Sequence, residues 1–308
     1  MNSGVRLYEV PKNRDGQRLD NLLVAELKGV PKSLVYRIIR KGQVRVNGSR
    51  AKAMQRVSAG DVVRIPPVRT DAPREKPRFP EDLVKKIEAA VAFENDRYLV
   101  LDKPAGLAVH AGSGLSWGLI DVVRQLREGF IELAHRLDRE TSGCLVFARD
   151  REALLGAQSA FRDPTAEKRY LALLQGSLSD EPRFVDAPLR RNVERGGERM
   201  VMVDPNGKPA RSRFQPIERF SGWTLTEVRI QTGRTHQIRV HAAHLGHPVA
   251  GDERYGSDRK PPGLTRLFLH CSMVNLPLEG LGEDLTASAP LPPELHTVLE
   301  ALAARRRR

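Results

Sequence analysis

Five prolines, Pro66, Pro67, Pro73, Pro77 and Pro80, stand among charged residues and interrupt the chain near its first quarter. Proline fixes φ and donates no backbone hydrogen bond, so a stretch of this kind is extended rather than packed. The spacing predicts a first module over residues 1–70, a proline-rich linker over 71–85, a second module over 86–304 and a basic tail, 305–308. Charge divides the same way. Residues 1–70 carry fifteen Lys/Arg against five Asp/Glu, residues 71–304 carry 32 against 33, and the tail is four arginines. Most of the formal net charge of +13 therefore sits in the first module and the tail. Concentrated positive charge on a nearly neutral body points to a dedicated polyanion-binding attachment.

With 308 residues, 40% of them hydrophobic, the chain can bury two cores. No apolar run is long enough to span a bilayer, and residues 1–10 lack a signal-peptide core, so the cytoplasm is the expected compartment. Cys144 and Cys271 lie far apart, which argues against a disulfide framework and rules out a four-cysteine zinc site.

In the first module Leu19, Leu22, Leu23 and Leu27 recur at helical spacing, and Gly29 is the expected stop. A second helix is expected over Leu34 to Lys41, capped by Ser33 and stopped by Gly42. Its apolar side is Leu34, Val35, Ile38 and Ile39, while Arg37, Arg40 and Lys41 project elsewhere. Val44-Arg45-Val46, the turn Asn47-Gly48 and Asp61 to Ile65 read as short strands. In the second module Val91-Ala92-Phe93 and Tyr98 to Leu101 suggest a hairpin, Glu152 to Phe161 a helix, and Tyr170 to Leu174 a strand. Residues from Glu294 onward suggest a short helix fraying into the arginine tail. There is no βαβ rhythm and no glycine-rich nucleotide fingerprint, so the expected fold class is α+β with a mixed, mainly antiparallel sheet.

The chemistry concentrates in four clusters. His135-Arg136-Leu137-Asp138-Arg139-Glu140-Thr141-Ser142-Gly143 sets one carboxylate between arginines ahead of the apolar run Cys144 to Ala148, as if presented at the mouth of a strand. The others are Leu101-Asp102-Lys103-Pro104-Ala105-Gly106, Glu167-Lys168-Arg169-Tyr170, and Thr232-Gly233-Arg234-Thr235-His236-Gln237-Ile238-Arg239 followed by Gly251-Asp252-Glu253-Arg254-Tyr255-Gly256.

Residues 17–61, from Gln17-Arg18-Leu19-Asp20 through Val44-Arg45-Val46-Asn47-Gly48 to Ala59-Gly60-Asp61, resemble the S-four type RNA-binding domain. The four clusters, in order along nearly the whole remaining chain, resemble the RluA-type pseudouridine synthases, which isomerise uridine within structured RNA. The resemblance implies a pseudouridine synthase fold and Asp138 as the nucleophile, with Arg239 as its ion-pair partner. It implies Tyr170 as the aromatic stacked on the target base and as a candidate proton acceptor, Ile238 as an apolar wall, and Arg136 as the side chain that fills the space left by a flipped base. Arg37, Arg40, Lys41 and Arg45 would lie against RNA phosphates. The implied partner is 23S ribosomal RNA or a large-subunit precursor, with no cofactor, no metal, no membrane and a monomeric state. His135 is expected to be a structural hydrogen-bonding group.

Two other classes remain open at this point. A non-catalytic ribosome-assembly protein would use only the basic module. A metal-dependent phosphoesterase could use His236, His241, His244 and His247 with Asp252, although Gly246 and Pro248 break the helix such a set would need.

Overall fold

The computed structural model describes residues 4–27, 30, 32–68, 78–111, 116–195, 198–256, 259–278 and 284–306. The chain forms two compact units, Met1–Arg78 and Phe79–Arg308.

The first unit comprises β1 (Arg6–Glu9), α1 (Leu19–Glu26), α2 (Lys32–Arg40), β2 (Arg45–Val46), β3 (Ser49–Arg50) and β4 (Val62–Ile65). Its four strands pair in the order β1-β4-β2-β3. Leu19, Leu22 and Leu23 of α1 and Val35, Ile38 and Ile39 of α2 are buried against Val46, Val63 and Ile65 of the sheet. This is the leucine spacing read from the sequence. The second helix begins at Lys32, so Ser33 is a helical residue rather than its cap. The expected stop, Gly29, lies outside the described residues. Asp20 is buried inside this unit and held by the Arg18 guanidinium (3.0 and 2.6 Å) and the Tyr36 hydroxyl (2.7 Å).

The second unit opens with α3 (Glu81–Ala89), β5 (Val91–Glu94), β6 (Tyr98–Lys103), α4 (Leu119–Leu126), β7 (Glu132–Leu133) and β8 (Ser142–Ala148). It continues with α5 (Arg151–Ala160), β9 (Glu167–Gln175), β10 (Arg183–Asp186), β11 (Leu189–Arg195), β12 (Glu198–Val203), β13 (Arg211–Phe220) and β14 (Trp223–Ile230). The last elements are α6 (Gln237–His244), β15 (Leu269–Leu276), β16 (Leu285–Ser288) and α7 (Pro293–Arg306). A ten-stranded sheet runs β10-β13-β14-β9-β15-β8-β6-β5, with β16 on β15 and β7 on β8, while β11 and β12 form a separate hairpin. Its pairings are antiparallel except β15 with β8, so the fold is α+β with a mixed, mainly antiparallel sheet. Every residue of β8 is buried, which is why Cys144 to Ala148 reads as continuous rather than alternating hydrophobicity. Burying each of its larger side chains contributes about 1.5–3 kcal/mol.

Two boundaries differ from the sequence reading. The second unit starts at Phe79, not at residue 86. Phe79 is buried with its ring edge on Trp117 (5.2 Å between centroids), and Pro80 stands at the N-terminal edge of α3. There its missing N–H costs nothing, and Glu81 and Asp82 complement the helix dipole, so this proline starts a helix instead of extending a linker. Residues 69–77 of the expected linker lie outside the described residues. At the other end α7 continues through Arg306, so Arg305 and Arg306 belong to a helix and not to a frayed tail. Arg307 and Arg308 lie outside the described residues.

Candidate active site

The Asp138 loop connects β7 to β8 and is pinned from three directions. Leu137 is buried beneath it, and the Thr141 N–H donates to the Asp138 carbonyl (3.2 Å) to close a turn. The segment after β6 clamps its far side. Lys103 Nζ donates to the carbonyls of Pro104 (2.8 Å) and Arg139 (3.0 Å), Gly106 N–H donates to the Arg139 carbonyl (2.9 Å), and Arg139 Nε donates to the Gly106 carbonyl (2.9 Å). Lys103 is fully buried, and that burial drags its pKa down to about 7, against opposing pulls from Glu140 and Asp138. Two of the amine's hydrogens are given to these carbonyls.

Gly143 explains the Thr-Ser-Gly sequence. It lies at φ +104°, opposite Cys271 in the parallel pair, and a Cβ there would collide with the Cys271 backbone. Only glycine lets β15 approach β8 this closely, directly behind the Asp138 loop. Tyr170 pairs with that same Cys271 from β9 and is buried. Burial, then Cys271, then the Asp138 charge push its phenol well above the usual range. A phenol held this firmly protonated stacks readily but is a reluctant base.

The fourth side of the site is α6. Gln237 anchors its first turn: its side-chain oxygen accepts from Thr232 Oγ1 (2.8 Å) and Arg234 N–H (3.0 Å), and its nitrogen donates to the Arg211 carbonyl (2.9 Å) and Ser212 Oγ (3.0 Å). Gln237 to Ala242 are all buried. Arg239 thereby faces a cavity of about 900 Å³, and both Ile238 and Arg239 face the adjoining recess. Arg136, Asp138, His236 and Arg239 line both; Tyr170, Ile230, Ile238 and Leu269 wall the recess. Asp138, Tyr170, Arg239, Arg136 and Ile238, distant in sequence, are thus neighbours in space.

One expected pairing is corrected. Arg239 does not pair with Asp138. Its Nε and Nη2 donate to the two carboxylate oxygens of Asp252 (2.7 and 2.6 Å), a buried bidentate pair. Burial lowers the Arg239 pKa, but the Asp252 bond and charge, joined by the Asp138 charge, more than reverse it. Asp252 Oδ1 also accepts from the N–H groups of Arg254 and Tyr255 (3.0 Å each), an arrangement that a guanidinium fork matches and a solvent-facing aspartate does not. Among the described residues the basic group within 4.0 Å of the Asp138 carboxylate is His236, its Nε2 at 4.0 Å from Oδ2. The sequence pointed to Lys103 and Tyr255 only as members of clusters, and to His236 and Asp252 only as cluster members and possible metal ligands.

The histidines go to separate partners. His241 contacts Ser212 Oγ and the Ala187 carbonyl, His247 the Gln175 carbonyl, and His236 the Tyr255 hydroxyl. Among the described residues no three His, Cys, Asp or Glu side chains gather as a metal site. His135 accepts the Val146 N–H (3.0 Å) and stacks on Phe161 (4.3 Å), and burial lowers its pKa to about 3. It is a structural group.

Arg136 is exposed, and among the described residues it forms no ion pair. It joins the first cavity to a second one of about 540 Å³, lined by Arg190, Arg191, Lys208 and Arg234. On the first unit Arg37, Arg40, Lys41 and Arg45 are all exposed. Arg45 spends one hydrogen bond on the Gly48 carbonyl, and none of the four pairs with a carboxylate among the described residues. Such unpaired cations are available to phosphates.

Residues 97–244 match the RNA pseudouridylate synthase family and residues 17–63 the S4 domain. The chain is 46% identical over 310 residues to ribosomal large subunit pseudouridine synthase C of Yersinia pestis, covering 98% of this chain and 97% of that one. It is 45% identical to the protein of that name in Escherichia coli (strain K12), covering 97% of each. The chain belongs to the pseudouridine synthase family. Human RNA pseudouridylate synthase domain containing 4, 24% identical, shares the pseudouridine synthase fold with a TM-score of 0.58 over 72% of this chain and 96% of its own. No described helix of this pseudouridine synthase is long and apolar enough to cross a membrane.

Proposed function

We propose that the chain isomerises specific uridines to pseudouridine in 23S ribosomal RNA, acting in the cytoplasm as a monomer. The observation that carries this reading is the convergence of Asp138, Tyr170, Ile238, Arg239 and Arg136 on one cavity, from segments up to about a hundred residues apart and all within one chain. Relatives about 45% identical over the full length, each named ribosomal large subunit pseudouridine synthase C, support the substrate.

The reaction detaches uracil from ribose, turns it and rejoins it through carbon, with no redox change and no hydrolysis. Asp138 is the nucleophile, presented on a loop that Lys103, Gly106 and Thr141 hold rigid. The turning base needs an apolar slot that grips its faces without fixing its edges. Tyr170 supplies the stacking face, and Ile230, Ile238 and Leu269 supply the remaining wall. Arg239, locked on Asp252, contributes fixed positive charge near the carboxylate without neutralising it. Arg136, unpaired at the junction of the two cavities, fills the space vacated by the flipped uridine. The basic groove beyond it and the exposed arginines of the S4 unit hold the backbone.

The test is pseudouridine mapping in 23S RNA from cells that lack the protein and then receive either the wild type or Asp138→Asn. Sites restored by the wild type and missing with Asp138→Asn are expected. Restoration by Asp138→Asn would refute the catalytic reading, and an unchanged map in the deletion strain would leave only an RNA-binding role.

A further inference from the structure

His236 occupies a conformation that a histidine adopts at a cost. It caps α6 at φ +54°, ψ 20°, in the left-handed region that glycine and asparagine enter more readily. Its backbone turns the chain into the helix, but any residue tolerant of that region would do so. What histidine adds is its ring, which lies between two partners. Nδ1 sits 2.7 Å from the Tyr255 hydroxyl, and Nε2 sits 4.0 Å from Asp138 Oδ2. Strain of about 1–3 kcal/mol retained at a cavity wall invites a functional explanation.

The hydrogen bonds favour one tautomer. The Tyr255 oxygen accepts the backbone N–H of Val201, in β12, at 3.1 Å. If its hydrogen goes to His236 Nδ1, every group is satisfied and Nε2 carries the ring proton toward Asp138. The opposite tautomer would give the Tyr255 hydrogen no acceptor among the described residues and aim a lone pair at a carboxylate. The ring also stays neutral: burial lowers its pKa, Asp138 and Asp252 oppose that, and Arg239 and Arg254 add to it. A neutral N–H can aim a carboxylate without cancelling the charge it needs for attack.

We propose that His236 is the positioning residue for Asp138: when RNA fills the cavity, Nε2–H closes onto Oδ2 and leaves Oδ1 as the attacking oxygen. Hydrogen bonds of this kind are often long in the empty site and tighten in the complex. Arg239 has the Nε and Nη2 edge of its guanidinium committed to Asp252 and contributes its charge to the same cavity. Tyr255 is the second member of the device. It holds the ring tautomer and ties it to Val201, which itself lines the basic groove next to Arg190 and Arg191. This rests on the isomerase reading above.

Two measurements test it. Nitrogen-15 NMR of the histidine rings in the full chain should show His236 as the Nε2–H tautomer, with Tyr255→Phe converting it to a mixture. An Nδ1–H ring in the wild type would overturn the proposal whatever the enzyme's activity. Pseudouridine formation on a 23S RNA fragment supplies the second readout. His236→Asn suits the left-handed backbone and its amide replaces Nδ1, but it lacks the reach of Nε2; His236→Gln restores that reach. His236→Asn is expected to lower kcat on the order of 100-fold at unchanged KM, with His236→Gln recovering to within about tenfold of wild type. Wild-type kcat in His236→Asn, a loss confined to KM, or no recovery with His236→Gln would overturn it. A wild type that forms no pseudouridine would instead sink the isomerase reading, and the ring tautomer would still decide this one.

Discussion

Arg239 grips Asp252 through two parallel hydrogen bonds of 2.7 and 2.6 Å, with the carboxylate side chain wholly buried and the guanidinium nearly so. A buried pair like this stabilises little against an apolar substitute, but losing one member strands a charge. Asp252→Ala should cost about 3–5 kcal/mol in urea unfolding. The double variant Arg239→Met with Asp252→Leu should recover most of that stability and none of the activity. If it regained activity, Arg239 would be scaffolding only.

Gly143 offers a stability test independent of chemistry. Gly143→Ala places a methyl at φ +104° against the Cys271 backbone, which must move. Backbone strain and overpacking together should cost about 3 kcal/mol or more, read as a fall in Tm. Because β8 leads directly from the Asp138 loop, activity should fall further than stability alone explains. An unchanged Tm would show that the parallel pair tolerates separation.

Lys103 should leave a pH signature. Its folded pKa is about 7 and its ordinary value 10.5, so between these limits the unfolded chain binds a proton that the native one has released. Stability from this group therefore rises with pH from about 7 to 10.5 and is flat below. Lys103→Met should remove that rise, seen as a wild-type-minus-variant difference in unfolding free energy that grows across the window. A difference independent of pH would mean that the amine stays charged.

The S4 unit should govern salt dependence. Changing Arg37, Arg40, Lys41 and Arg45 to Gln removes up to four phosphate contacts. The slope of log affinity against log salt should then become shallower by up to about 3.6. A slope equal to the wild type would move RNA binding away from this face.

Much of the fold was legible locally. The leucines of α1, the hairpin of β5 and β6, the helix α5 and the uninterrupted burial of β8 follow from periodicity and turn chemistry, which depend on neighbours within a few residues. The second unit starts earlier than the prolines suggest, because proline alone does not say whether it extends a chain or begins a helix. That depended on Phe79 meeting Trp117, nearly forty residues away.

The candidate site divides along the same line. The sequence by itself determined which residue types were present and in what order: one carboxylate between arginines, a tyrosine in a strand, an arginine in a buried helix. Partnership was decided only by the tertiary structure. Arg239 pairs with Asp252, thirteen residues on, and not with Asp138, because α6 turns its guanidinium edge toward a carboxylate already organised by two backbone N–H groups. His236 faces Asp138 because a left-handed residue redirects the chain at the start of that helix. Ion pairs and hydrogen bonds are selected by distance and angle over a few ångströms, and spacing along the chain does not encode those when the contact joins separate elements.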